Sequence, residues 1–299
     1  MSVNTSVVKQ CDVLEVRRPS AADAPVCAFT VDVEDWYQSS IDFDAPITHR
    51  VVDNVHRVLD LLDQRNTKAT FFVQGLVAEA FPGLLQFLLK EGHEIQSHGY
   101  SHRPLYKMDP PTLRCELERA RKSVEDASGT RVTAFRAPDF SIVSSNLWAL
   151  ESLAENGFTV DSSIFPLRIR RYGIAHWPSS PHLIRLASGA KMLEIPVATW
   201  ELLGKRLPVS GGGYFRLLPV RLLTAALKRM IATEGPPVIY CHPYEFNAHE
   251  LDEYRHRVSG IYRLYQGTGR AAFLDRVNTL LGQLRFGRFD HVMAAWGLL

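Results

Sequence analysis

HEIQSHGYSH, residues 93–102, sets a short run of strand-forming character directly before two histidines spaced four apart. His93 to Ser97 reads as a strand, His98 stands at its exit, and His102 follows at i+4. That spacing carries both imidazoles to one side of a helix or of a tight turn, where they can close on one metal ion. A second apolar run, VCAFTV (26–31), leads into Asp32-Val33-Glu34-Asp35 and brings carboxylates to its own exit. Two imidazoles and one hard carboxylate make a mixed site with an open position. In an extended strand Asp32 and Glu34 face one side and Asp35 the other, which favours Glu34 over Asp35 as ligand if the strand runs that far.

Outward from these two runs, strand-like and helix-like segments alternate. KATFFV (68–73) reads as a strand, preceded by a helix capped at Thr48 that carries Val51, Val55, Val58, Leu59 and Leu62 at helical spacing. Residues 76–90 are leucine-rich, interrupted by Pro82 and ended by Gly92, and Asp109-Pro110-Pro111 opens a helix that Ser128-Gly129 stops. Residues 132–135 form a strand delivering Arg136. A helix over 144–156 then leads to a strand at 158–160 delivering Asp161. Residues 191–197 form a sixth strand, after a long loop from 166 to 181. PVIYC (237–241) is a seventh, with His242 at its exit. Helices over 220–232 and 270–284 and a strand-like 289–294 complete the pattern. Residues 1–24 lack periodicity and read as a tail or an edge segment, leaving 25–299 as one domain with a helical C-terminal extension.

Repeated alternation predicts parallel strand–helix–strand units closed into a barrel rather than spread in an open sheet. In such barrels chemistry gathers at the carboxyl ends of the strands. Asp32, His98, Arg136, Asp161 and His242 all fall there.

Composition removes several classes of function. A chain of 299 residues with 46% apolar content can bury one large core. The formal charge is +2 and no Lys/Arg-rich block occurs, which argues against nucleic-acid binding. Cys11, Cys27, Cys115 and Cys241 form no CxxC pair, so neither a disulfide framework nor a zinc ribbon is expected. Gly211-Gly212-Gly213 lacks the Lys and Ser/Thr of a phosphate loop. With no basic-then-apolar leader and no apolar run long enough to span a bilayer, the expectation is a cytoplasmic protein without a transmembrane segment.

The residues resemble the polysaccharide deacetylase family, also called NodB-homology or carbohydrate esterase 4, over roughly residues 24–247. TVDVED looks like its first motif, HGYSH its second, Arg136-Ala137-Pro138 its third and Tyr240-Cys241-His242 its last. LPVSGGGYFRLLP (207–219), DVEDW and HPYEF further resemble the branch associated with exosortase and exopolysaccharide systems. The resemblance implies a distorted (β/α)7 barrel and one divalent ion, zinc by expectation, held by His98, His102 and either Glu34 or Asp35. It implies Asp32 as general base, His242 as general acid, Arg136 as the partner orienting the base, and Asp161 as support for His242 or the substrate. The backbone N–H of Asp139 would serve an oxyanion hole. The substrate implied is an acetylated glycan, with contact to membrane-linked polysaccharide machinery at the inner membrane face.

This sequence departs from the family pattern in two ways. Asp32 is followed by Val33-Glu34-Asp35 instead of by a second Asp, and Gly99 stands where many members carry Ser or Thr. The second departure also occurs in relatives that hydrolyse cyclic imides or ureides, which is the alternative reading. A catalytically silent carbohydrate-binding protein is a third. Tyr172, Trp177, Trp200 and Tyr214 are the candidates for stacking on sugar.

Overall fold

The central strands are short apolar runs buried on both faces, the pattern of a parallel sheet sheathed by helices. The computed structural model describes residues 8–169 and 172–299. Residues 1–7 of the expected tail, and Arg170 and Arg171 in the expected long loop, lie outside the described residues.

The first half comprises β1 (Val8–Val13), β2 (Cys27–Val33), α1 (Trp36–Ser40), α2 (Arg50–Gln64), β3 (Thr70–Val73), α3 (Gly75–Ala80), α4 (Pro82–Lys90), β4 (Glu94–Ser97), α5 (Pro110–Ser128), β5 (Ala134–Phe135), α6 (Ala149–Glu155) and β6 (Val160–Asp161). There follow β7 (His182–Leu186), β8 (Lys191–Glu194), β9 (Thr199–Leu202), β10 (Lys205–Pro208), α7 (Gly212–Leu217), α8 (Val220–Thr233) and β11 (Val238–Cys241). The chain then runs through α9 (Gly260–Gly267), α10 (Phe273–Leu281), β12 (Phe286–Gly287) and α11 (Phe289–Ala295).

Strands β11, β2, β3, β4, β5, β6 and β8 lie side by side and parallel in that order. β7 joins β8 antiparallel, β1 joins β7 antiparallel, and β12 extends the ladder on β2. Between β8 and β11 a full ladder is replaced by single bonds: Ala198 N–H donates to Val238 O at 2.9 Å and Tyr240 N–H to Ser210 O at 2.8 Å. Those bonds close the ring unevenly, which gives the distorted (β/α)7 barrel that the resemblance implied. Residues 8–13, within the stretch expected as tail or edge segment, form the edge strand β1.

Several local expectations resolve differently. Residues 289–294, expected as a strand, are helix α11. Phe289, Val292, Met293 and Trp296 recur at i, i+3, i+4 and i+7 and are all buried. Phe289 meets Phe72 edge-on, with ring centroids 6.0 Å apart, and its N–H donates to Thr70 Oγ1 at the start of β3. The helix therefore plugs the amino-terminal mouth of the barrel. Thr48 does not cap α2. Its backbone N–H and its hydroxyl both donate to Asp35 Oδ2. Helix α5 starts and stops as read: Asp109 Oδ1 accepts from Thr112 N–H at 2.9 Å, and Gly129 ends it with a φ of 72°.

Two histidines away from the rim of strand ends are buried. Ala69 N–H donates to His93 Nδ1 at 3.1 Å, and His182 Nδ1–H donates to Ser180 O at 2.9 Å. Burial pushes each imidazole down to about 4 from the ordinary 6.5. As pH falls, the unfolded chain takes up these protons below about 6.5 and the native state only near 4. Stability is therefore lost across that window, by at most about 3 kcal/mol per histidine. His93→Gln keeps an acceptor for Ala69 N–H and has nothing to titrate. Its unfolding free energy should fall less than the wild type's between pH 7 and 4.5 in urea melts, and equal slopes would show that His93 is not held neutral.

Candidate metal centre

The barrel's parallel register brings the exits of β2, β4, β5 and β11 to one rim. His98 follows β4, and Gly99 and His102 both take left-handed backbone, with φ of 73° and 64°. The segment is thus a tight turn, not a helix. A Cβ at Gly99 would lie 3.2 Å from the Pro138 ring as well as being strained, so the backbone accounts for the glycine there without recourse to substrate choice. Glu116 pins the turn by accepting from the Tyr100 and Ser101 N–H groups and from Ser101 Oγ, while Gln38 Nε2 donates to Ser101 O.

Glu34, one residue past β2, completes a buried trio. Glu34 Oε2 contacts His102 Nε2 and lies 3.3 Å from His98 Nε2. The three ligand atoms all lie within 4.8 Å of one another. His98 Nδ1 sits 2.9 Å from Arg136 O, a carbonyl that can only accept, so Nδ1 carries the hydrogen. In the neutral ring Nε2 is then a bare lone pair aimed at a carboxylate oxygen. That contact is repulsive without a cation between them, and a backbone carbonyl on the far nitrogen is the support that ligating histidines ordinarily have. The residues fit one divalent ion of the borderline class. Burial would raise the Glu34 carboxyl, but the charge of His102 and His242 brings it well below the usual carboxylate range. Tyr244 donates its hydroxyl to Glu34 Oε1 at 3.1 Å.

Asp35 is not part of this trio. Its Oδ1 caps α1 by accepting from Tyr37 and Gln38 N–H, and its Oδ2 holds Thr48. The alternation of the strand continues one residue past its last ladder bond, and that turns Glu34 inward and Asp35 away.

Asp32 is buried beside the trio, with Oδ1 accepting from Arg136 Nη1 at 2.7 Å. The same Nη1 donates to Thr30 Oγ1 at 2.7 Å, and Nη2 donates to Ser162 Oγ at 3.1 Å. His242 Nε2 stands 4.0 Å from Glu34 Oε1. Its Nδ1 faces Glu245 Oε2 at 3.2 Å, and its ring stacks on Tyr244 with centroids 4.9 Å apart. Burial would lower the His242 pKa, but the carboxylates of Glu34 and Glu245 outweigh it and hold the imidazole at about 9. A cation on Glu34 offsets the first of these and leaves Glu245 as the standing partner.

The resemblance implies Asp161 as support for His242 or the substrate, and in the structure the carboxylate facing His242 Nδ1 is Glu245. Asp161 Oδ1 instead takes the Ser163 hydroxyl, and its carboxyl pairs with Glu194 on β8. Glu245 and Tyr244 lie within HPYEF and were legible as neighbours of His242, although nothing in their type marked them as partners.

Asp32, Glu34, His98, His102 and His242 all open onto one cavity of about 200 Å³. Asp139 lines it too, on a turn where Asp139 and Phe140 hold φ of 54° and 49°. Of the aromatic residues read as sugar platforms, Tyr172 lines this cavity and Trp177 is fully buried in the core. Trp200 and Tyr214 are not among its walls.

Residues 26–160 match the polysaccharide deacetylase family model, and residues 162–294 match a domain of unknown function, DUF3473. A peptidoglycan-N-acetylglucosamine deacetylase of Bacillus cereus is 35% identical over 96 residues, covering 32% of this chain and 35% of the relative. A peptidoglycan-N-acetylglucosamine deacetylase of Listeria monocytogenes is 38% identical over 81 residues, covering 27% of this chain and 17% of the relative. The chain thus spans about a third or less of these relatives. Among solved structures, one from Mycobacterium smegmatis assigned to the polysaccharide deacetylases is 22% identical, covers 95% of each chain and superposes with a TM-score of 0.60. A peptidoglycan N-acetylglucosamine deacetylase structure at 18% identity covers 94% of this chain and 92% of its own, with a TM-score of 0.51. The structural likeness shows the fold. The family model and the curated relatives support the polysaccharide deacetylase family.

Metal analysis of purified variants tests the ligand set. Glu34→Gln and His98→Ala should each lose most of the bound metal. Asp35→Ala should keep it and instead melt earlier, having lost a buried helix cap worth about 1–2 kcal/mol. Metal loss confined to Asp35→Ala would reverse the assignment.

Proposed function

We propose that this chain, with its support from the polysaccharide deacetylases, is a metal-dependent hydrolase that removes acetyl groups from N-acetylhexosamine units of a bacterial exopolysaccharide. The observation that carries the reading is the meeting, on one cavity, of the Glu34–His98–His102 trio, a carboxylate oriented by a buried arginine and an imidazole backed by a carboxylate. Glu34, His98 and His102 would hold one divalent ion, zinc by donor type, which supplies Lewis-acid polarisation of the acetamide carbonyl and of the attacking water.

Every other part of the chemistry rests on the chain's own side chains. Arg136 occupies Asp32 Oδ1, leaving Oδ2 as the oxygen that takes the proton from attacking water. His242 presents Nε2 to the cavity with Nδ1 toward Glu245 Oε2, so the ring can give its Nε2 proton to the departing amine nitrogen. The Asp139 turn, with its left-handed backbone, is the candidate for meeting the developing oxyanion. The segment 207–219 supports the exosortase- and exopolysaccharide-associated branch. In it Gly211 allows the chain to pass Tyr240 O, where a Cβ would come within 2.2 Å, and α7 then carries Arg216 to within 3.8 Å of Glu245 Oε1. No helix among the described residues is long and apolar enough to cross a membrane, and we propose action at the cytoplasmic side.

Acetate release from a panel of acetylated glycans and cyclic imides, with metal analysis, tests the reading. Wild-type protein that opens cyclic imides and leaves every glycan untouched would replace it. Asp32→Asn should keep the metal and lose about 10² to 10⁴ in turnover, because an amide cannot accept the water's proton, and it should melt earlier because Arg136 loses its counter-charge.

His242→Ala should be far more damaging on an N-acetyl sugar than on an aryl acetate, whose phenol leaves without strong acid help. Equal losses on both substrates would make His242 a positioning residue instead of the acid.

A further inference from the structure

Helix α9 stands at the rim of the cavity and buries none of its residues. Tyr262 and Gln266, at i and i+4, face the cavity that holds Glu34 and His242. A third of the way round the helix, Ile261, Leu264 and Tyr265 recur at i, i+3 and i+4 and form a separate apolar stripe. They are 84%, 73% and 71% exposed. Leu217 is 64% exposed on α7, which is tied to α9 by Arg216 Nη1 donating to Gln266 O. Single exposed apolar residues are ordinary, whereas a stripe of three beside a reaction cavity marks an interaction surface.

The segment that carries the stripe is cationic. From Tyr254 to Leu274 the chain carries four arginines and one histidine and no carboxylate, and of these Arg270 is buried against Tyr244 O. Arg255 and Arg257 are exposed just ahead of α9, and the guanidinium of Arg257 lies over the ring of Tyr37. Of the nearest preceding acids, Glu250 and Glu253 pair with Arg50, and Asp252 lies exposed beside His249. Two copies related by a twofold axis through this stripe would bring like-charged arginines together. A glycan stacks on rings and bonds to polar groups, neither of which Ile261 or Leu264 offers. An apolar stripe with cationic flanks is complementary to an anionic lipid surface, where apolar side chains enter the interface and arginines meet the headgroups.

We infer that α9 docks the protein on an anionic phospholipid bilayer with the cavity mouth at the membrane, so that the acetylated glycan it acts on is one tethered to lipid. The substrate clause rests on the deacetylase reading, and the docking clause does not. The first measurement is therefore binding alone. The full-length protein is sedimented with vesicles of phosphatidylcholine, and with vesicles in which about a third of the lipid is phosphatidylglycerol. Wild type should bind the anionic vesicles and not the neutral ones. Ile261→Ser/Leu264→Ser/Tyr265→Ser should reduce that binding at least about tenfold, and Arg255→Gln/Arg257→Gln should reduce it in a way that added salt mimics. Unchanged circular dichroism and unchanged melting keep a folding defect from imitating the result.

Absence of wild-type binding to anionic vesicles overturns the inference, as does a triple serine variant that binds like wild type. A wild-type dimer that the triple variant dissolves, without vesicle binding, would make a second copy the occupant. The second arm compares acetate release from an acetylated glycolipid in the same vesicles with release from a soluble oligosaccharide. The triple variant should lose rate on the first only, and equal rates on both would remove the tethered substrate while leaving the docking. Vesicle binding with no acetate release from any substrate would instead remove the deacetylase reading.

Discussion

The site depends on one buried cation, the guanidinium of Arg136. It is fully inaccessible, lies 4.2 Å from the ring centroid of Phe72, and is satisfied from three directions by Asp32, Thr30 and Ser162. An arginine in such a place is tolerable only because its charge meets Asp32 and its donors meet acceptors. Removing either partner leaves an uncompensated charge in a low-dielectric interior. The geometry ties β2, β5 and the segment after β6 together at their carboxyl ends. The backbone of the same residue does a second job, since Arg136 O accepts from His98 Nδ1 and thereby aims Nε2 at Glu34. One residue thus orients the proposed base through its side chain and a metal ligand through its carbonyl.

The site also lies on a seam in the sequence. Residues 26–160 bring Asp32, Glu34, His98, His102 and Arg136, while residues 162–294 bring His242 with Glu245, Tyr244 and Arg216. The two sets meet because β11 pairs with β2 in parallel register, Tyr240 opposite Thr30 and Cys241 opposite Val31. His242 and Asp32 therefore leave adjacent strands at the same level. A shift of one residue in that pairing would turn every side chain of the strand to the opposite face and remove His242 from the cavity. The seam is held by backbone hydrogen bonds between apolar strands, with chemistry confined to the residues just past them.

How much of this was legible follows from where each element buries its side chains. The parallel strands could be read because both their faces are covered, which leaves near-continuous apolar runs, and the rim residues could be read because they are the first polar groups after those runs. The β1–β7 pair escaped because β1 exposes two residues in succession to solvent and its Val8 to Val13 show no alternation. Helix α9 escaped because a helix that buries nothing has no inward stripe to find. Residues 289–294, FDHVMA, were misjudged because six residues are too few to fix a period, and Trp296, beyond them, completes the helical one. The choice of Glu34 over Asp35 followed from alternation alone, while the second engagement of Asp35, through Oδ2, is with Thr48, thirteen residues away.

Asp161 shows what strand position cannot reveal. It ends a strand as Asp32 precedes the end of another, yet its side chain is committed to Glu194, its direct neighbour in the β6–β8 register. Both carboxyls are fully buried, and burial raises both, Glu194 well above the usual range with the charge of Asp161 adding to it. Asp161 Oδ1 is the acceptor for the Ser163 hydroxyl. Ser163 Oγ in turn accepts from Ala137 N–H at 2.8 Å. Ala137 leads into Pro138, Asp139 and Phe140, where two non-glycine residues hold left-handed backbone that costs energy unless neighbours enforce it. A carboxyl pair with no opening to the cavity thus reaches it through one serine and one backbone amide, by fixing the start of the turn on which Asp139 faces the substrate space.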